Sequence, residues 1–155
     1  GGSSEIIPFT NKTPHNFFSV PWGSLKTYKK FVNGTLPTED EINNIKAEIR
    51  AHLKSTEKFD NLCIVGGGVD ASVKLTEKFL GEKSISVSGL KEIIDIVINK
   101  PDYAKEIIQK TAPERLETII PGLAIYSALS EFFSSKNIYI SDKGIKEGYV
   151  LNKLV

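Results

Sequence analysis

The 155-residue chain contains no methionine, one cysteine and one tryptophan, and neither sign of charge predominates: 20 Lys+Arg face 19 Asp+Glu, a net charge of +1. A single thiol, Cys63, excludes an internal disulfide framework and fits a reducing compartment. The charge balance excludes the strong field that would draw a chain to nucleic acid or to an anionic membrane surface. No apolar run approaches the roughly 18–20 residues that a membrane-spanning helix needs, and no signal-like segment opens the chain. These absences predict a soluble, cytoplasmic protein with neither a nucleic-acid polymer nor a membrane among its partners. The missing methionine and the opening Gly1-Gly2-Ser3-Ser4-Glu5 mark it as a piece of a longer protein, or one cut near a domain boundary.

What is present is ordinary for one globular domain: 40% hydrophobic and 25% charged residues. Residues 5–9 and 16–20 read as two strands of a hairpin, with Asn11, Lys12, Thr13 and Pro14 as turn chemistry. Ser24 reads as the N-cap of a short helix ending near Val32. Thr38-Glu39-Asp40-Glu41 has the spacing of a capping box. It is followed by Ile42, Ile45, Ile49 and Leu53 on one helical face. Asn61-Leu62-Cys63-Ile64-Val65 reads as a strand buried on both faces, with Cys63 an inert core thiol. It runs through Gly66-Gly67-Gly68 into a helix over 70–80. Further helices are expected after Ser88, from Pro101 with Tyr103, Ile107 and Ile108 inward, and over 114–133 with a bend at Pro121. A last strand over 137–141 and a last helix over 144–154 complete an α/β order.

Two glycine-rich turns carry the candidate chemistry. Gly66-Gly67-Gly68 joins a strand to a helix, where backbone N–H groups and the helix dipole favour an anion such as phosphate. A purely structural turn reads as well. No Gly-Lys-Ser/Thr follows, so it is not a Walker loop. Gly1, Gly2 and Ser3 would wrap a phosphate oxygen with N–H and O–H groups, and Glu5 beside them would hold a divalent cation. From local sequence alone a vector-derived linker remnant followed by an ordinary strand residue is the preferred reading. Arg115 sits where the helix dipole disfavours a cation. Its alternatives are a bidentate phosphate contact and a surface pair with Glu114 or Glu117. His15 and His52 lack partners at metal-ligand spacing, and Trp22, between Pro21 and Gly23, reads as packed under a turn.

Taken in order, Gly1-Gly2-Ser3-Ser4-Glu5-Ile6, Ser19-Val20-Pro21-Trp22-Gly23-Ser24-Leu25, Ile64-Val65-Gly66-Gly67-Gly68, Arg115 with Pro121-Gly122-Leu123-Ala124-Ile125, and Ser141-Asp142-Lys143-Gly144-Ile145-Lys146-Glu147-Gly148 resemble the motifs of the exopolyphosphatase/guanosine pentaphosphate phosphohydrolase (Ppx/GppA) family. The resemblance implies that residues 1–155 are the second domain of an actin-like, ribonuclease H-like fold, a mixed sheet flanked by helices. The first domain would be absent and the first strand truncated, with residues 1–5 native. It also implies hydrolysis of a terminal phosphate from inorganic polyphosphate or guanosine pentaphosphate with Mg²⁺ or another divalent cation. By position, Gly1, Gly2, Ser3, Gly66, Gly67, Gly68 and Arg115 would meet phosphate, and Glu5 would be the catalytic and metal-binding residue. The water-activating glutamate would lie in the absent domain, so the isolated chain is expected to be inactive. Homodimer formation stays open. Val69-Asp70 stands where the family's glycine loop continues with Thr/Ser. That acid keeps a second reading open, a non-catalytic nucleotide- or phosphate-binding or regulatory domain of the same fold.

Overall fold

Ser4–Ile6 (β1) pairs antiparallel with Phe18–Val20 (β4), Ser4 opposite Val20, in the computed structural model, which describes residues 1–141, 143 and 144. The expected strand over 5–9 is broken. Pro8 cannot donate to a ladder, and the chain restarts as Phe9–Thr10 (β2), which pairs with Thr13–Pro14 (β3). The two residues between them, Asn11 and Lys12, have φ of 51° and 64°. That is the conformation of a two-residue type I′ hairpin turn, whose twist matches the strands.

Ser24–Phe31 (α1) follows, capped by Gly23 and not by the Ser24 side chain. Glu39–Ala51 (α2) starts on the expected capping box. The Glu41 N–H donates to Thr38 Oγ1 at 3.3 Å, and the Thr38 N–H donates to Glu41 Oε2 at 2.9 Å. Asn61–Ile64 (β5) leads into Val69–Leu80 (α3), Val87–Asn99 (α4) and Pro101–Thr111 (α5). The cap of α4 is Ser86, whose hydroxyl takes the Gly89 N–H at 2.9 Å, two residues before the expected Ser88. Pro113–Arg115 forms a separate 3₁₀ turn, and the long helix is Ile119–Phe133 (α6). Pro121 therefore lies in its first turn, where a missing N–H leaves no bond unmade, and bends nothing. Asn137–Ile140 (β6) pairs parallel with β5, Asn61 opposite Asn137. The expected last helix falls outside the described residues except for Gly144.

The architecture is mixed α/β, with three two-stranded pairings among the described residues. One continuous core joins Ile42, Ile45 and Ile49 of α2, Leu75 of α3, Leu90 and Ile93 of α4, Ile108 of α5, and Ile120 and Leu123 of α6. Helix α6 is buried almost all round and packs on α1, α2 and α4. Its one acid, Glu131, is met by Lys46 and Arg50 of α2 and by the Ser127 hydroxyl. Burial raises the Glu131 carboxyl, but these partners outweigh it and hold the group below its ordinary range.

Two sequence expectations are corrected here. Strand β5 is not buried on both faces. With β6 as its pairing partner among the described residues, its alternation sends Leu62 and Ile64 toward the core and leaves Cys63 exposed. Tyr103 is not inward either: it is 46% exposed, edge-on to Phe79 at 6.0 Å, while Ala104 and Ile108 fill the core position. Trp22 is packed as expected, 5.1 Å from the Phe31 ring, its Nε1 donating to Glu48 Oε1 at 3.1 Å. Among the described residues no helix is long and apolar enough to cross a membrane.

Candidate functional site

The N-terminal glycines lie across the start of α1. The Lys26 N–H donates to the Gly1 carbonyl at 3.2 Å, and the Ser4 hydroxyl to the Trp22 carbonyl at 2.8 Å. The approach is so close that a Cβ on Gly23 would stand 2.6 Å from Gly1 C and O and 2.9 Å from Ser3 N. Gly1, Gly2 and Ser3 stay exposed. Glu5 projects from β1 into solvent; its Oε1 accepts the Ser19 hydroxyl at 2.9 Å.

The second turn is built differently. Strand β5 ends at Ile64, whose carbonyl takes the Ser141 N–H at 3.1 Å, and Gly66 then turns the chain with φ 151°. Helix α3 begins at once: the Val69 N–H donates to the Gly66 carbonyl, and the Ser72 backbone N–H and hydroxyl both donate to the Gly68 carbonyl. Arg115 reaches this turn from the 3₁₀ segment, its Nη2 donating to the Gly67 carbonyl at 2.9 Å. Neither Glu114 nor Glu117 pairs with it; a backbone carbonyl 48 residues earlier holds the guanidinium. Behind it, burial raises the Tyr126 hydroxyl above its ordinary range while the Arg115 charge works the other way.

A cavity of about 210 Å³ opens beside the turn, lined by Gly67, Asp70, Lys74, Thr111, Glu114 and Arg115 among others. The structure thus brings Gly67 and Arg115 together, a contact that the sequence reading did not specify. It adds Lys74, which sequence reasoning missed. The available signal was spacing: Lys74 lies one turn beyond Asp70, so the two share a helix face. The stretch from Arg115 to Gly122 also touches the first turn's support, because Gly122 faces Ser24 at the start of α1, with 3.6 Å left for a Cβ. No hydrogen bond or ion pair joins Glu5 to the 66–68 turn. Among the described residues no three His, Cys, Asp or Glu side chains gather as metal ligands.

A glycine turn that joins a strand to a helix N-terminus is a geometry open to anions, here with an arginine fixed beside it in a mixed α/β fold. The chain belongs to the Ppx/GppA phosphatase family, whose family model matches residues 1–155. A comparison with curated proteins returns no match. Among solved structures, it is similar to a Ppx/GppA family member from Aquifex aeolicus, with a TM-score of 0.79 and 20% identity over 99% of this chain and 53% of that one. The type II variant of the Aquifex aeolicus Ppx/GppA phosphatase gives 0.76 and 20%, over 100% and 55%. An exopolyphosphatase-like protein gives 0.72 and 17%, over 100% and 58%. At these identities the likeness is one of fold, and the chain spans a little over half the length of each of these proteins.

Proposed function

We propose that this chain is one actin-like domain of a cytoplasmic phosphohydrolase that releases the terminal phosphate of inorganic polyphosphate or guanosine pentaphosphate. The observation that carries the reading is Arg115 anchored on the Gly67 carbonyl. That contact fixes a permanent cation at a turn whose backbone is open to an anion. Phosphoanhydride hydrolysis needs positioning and charge stabilisation more than covalent help from the protein. The exposed N–H groups of Gly1 and Gly2 and the Ser3 hydroxyl would orient one phosphate, and the 66–68 turn with Arg115 would orient another.

Glu5 fits a divalent cation. Mg²⁺ is commonly held by one or two carboxylates with water and substrate phosphate completing its shell, and Ser19 engages one Glu5 oxygen, leaving Oε2 free. When bound, the cation would balance charge on the phosphoryl oxygens. The Ser19 hydroxyl would hold the carboxylate in place. With the water-activating group expected outside these residues, the isolated chain should release little phosphate or none.

One observation favours the non-catalytic reading. Asp70 and Glu114 line the same cavity as Lys74 and Arg115, and acids there oppose tight phosphate contact. Phosphate release by the full-length protein separates the two. Polyphosphate and guanosine pentaphosphate would be compared with and without Mg²⁺, against Glu5→Gln. Metal-dependent release abolished by the substitution supports the enzyme. A folded protein that binds phosphate compounds and releases nothing from either substrate moves the assignment to the binding domain.

A further inference from the structure

Pro21, Trp22 and Gly23 link the end of β4 to the start of α1, and the N-terminal glycines lie against that link. Gly23 gives them room, and the Trp22 carbonyl takes the Ser4 hydroxyl at 2.8 Å. The placing of Gly1, Gly2 and Ser3 therefore follows the placing of the link. Pro21 is exposed and Gly23 has no side chain, so Trp22 supplies the side chain that ties the link to the helices. Its ring packs edge-on to Phe31 at 5.1 Å and to His52 at 6.4 Å, and the Lys26 ammonium lies over it at 4.9 Å. One directional bond then fixes which edge of the indole turns inward: Nε1 donates to Glu48 Oε1 at 3.1 Å.

Glu48 is an acid where its own helix does not favour one. It lies in the last turn of α2, at the negative end of the helix dipole. Two donors offset this, because His52 Nδ1 stands 3.4 Å from the same Oε1 that takes the indole N–H. His52 caps α2, and its Nδ1 is 2.9 Å from the Glu48 carbonyl, which can only accept, so that nitrogen carries a proton. The carboxylate is half-buried, and breaking the indole bond would leave one partner unsatisfied. The other charged cluster of α2, Lys46 and Arg50 on Glu131, faces α6 and makes no bond to the link. Among the described residues no bond joins Glu48 to residues 1–5.

We propose that Glu48 is a positioning residue for the turn formed by Gly1, Gly2 and Ser3, acting through Trp22. The carboxylate fixes the indole, the indole fixes the link, and the link holds the glycines across the start of α1. The inference rests on the phosphohydrolase reading and deepens it by giving a part in the reaction to a residue that touches no phosphate.

The test measures steady-state phosphate release by the full-length protein with Mg²⁺, from long-chain polyphosphate and from guanosine pentaphosphate. The variants are Glu48→Leu, Glu48→Gln, Trp22→Phe, the double variant Trp22→Phe/Glu48→Leu, and Glu131→Gln, which loosens α2 from α6 without touching Trp22. Thermal melting reports the fold of each. If Glu48→Leu does not fold, Trp22→Phe carries the test, since it removes the same bond and keeps a ring on Phe31. On the substrate that wild type hydrolyses, Glu48→Leu should raise KM about tenfold with kcat within about twofold, the pattern of lost binding and not of lost chemistry. Trp22→Phe should match it, and the double variant should lose no more than either single one. Glu48→Gln, whose amide oxygen still accepts the indole N–H, should keep the wild-type KM and the wild-type position of the Trp22 indole proton resonance. Glu48→Leu should shift that resonance and speed exchange of the Lys26 amide, which the Gly1 carbonyl otherwise protects. Additive losses in the double variant would overturn the proposal, as would equal loss in Glu48→Gln or a matching rise in KM in Glu131→Gln. If wild type hydrolyses a substrate and Glu48→Leu does so with unchanged KM, the positioning role alone falls. If folded wild type releases phosphate from neither substrate, the phosphohydrolase reading falls and the positioning role with it.

Discussion

The two glycine turns of this domain use the same residue for opposite reasons. At the N-terminal turn the requirement is contact: Gly23 lets the Gly1 carbonyl and the Ser3 N–H approach to where a Cβ would have to stand. At the second turn the requirement is conformation. Gly66 has φ 151° with open space around it, a dihedral that side-chain-bearing residues rarely adopt. Gly2 and Gly68 satisfy neither condition. Nothing lies within 4 Å of a Cβ on either, and Gly68 has the ordinary φ of −97°. On the reading proposed above, these two glycines, needed for neither packing nor dihedral, would be the ones that admit phosphate.

The largest expected effect would break the comparison on the functional side. Arg115→Gln should lower phosphate release by the full-length protein about a hundredfold, the size expected when one fixed charge-stabilising group is lost. Arg115→Lys should recover only part of it, because an ammonium lacks the guanidinium's fork. A steady-state phosphate assay decides, and full activity in Arg115→Gln would remove the second turn from the site. Next, Gly66→Ala and Gly23→Ala should each destabilise by about 1–3 kcal/mol in urea unfolding, the first through backbone strain and the second through overpacking. Their signatures should differ: Gly23→Ala should release the Lys26 amide to hydrogen exchange, and Gly66→Ala should leave it protected. Gly68→Ala should change stability by less than about 0.5 kcal/mol while weakening binding of inorganic phosphate. Unchanged binding would return Gly68 to the structural class.

The smallest effect serves as a control remote from both turns. Glu131 titrates below its ordinary 4.5 in the folded chain. The stability it contributes is therefore complete above that value and is lost as pH falls through the lower folded one. Glu131→Gln should flatten this part of the acid unfolding curve by about 1 kcal/mol or less, and phosphate affinity at neutral pH should not move.

Local rules in the sequence carried much of the fold and less of the site. The α2 capping box and its isoleucine face were legible because cap and periodicity agree within one helix. The α6 start was not, since Pro113 nucleates a separate 3₁₀ turn and only the packing of Thr118 and Ile119 shows where the helix restarts. Cys63 was misplaced because a short apolar strand looks the same whether one face or two are covered. Arg115 was singled out by its unfavourable position, but its partner is a carbonyl 48 residues away, which no local pattern encodes. Lys74 went unnoticed because a lysine on a helix surface is ordinary until the cavity beside it is seen.

The parallel pairing of β5 with β6 has a kinetic consequence. Residues 76 apart in sequence are joined there, as in the Asn137 side-chain amide that donates to Asn61 at 3.0 Å, while α3 to α6 between them form through local bonds. Closing so long a loop carries an entropic charge that the helices do not meet. The helices are therefore expected to form first and the strand pair to lock last, and with it the end of β5 from which the glycine turn springs. Pulsed hydrogen exchange during refolding should find the β5–β6 amides protected after those of α4 to α6. The glycine turn proposed to hold phosphate would then be among the last parts of the chain to take shape, absent while the strand pair is still open.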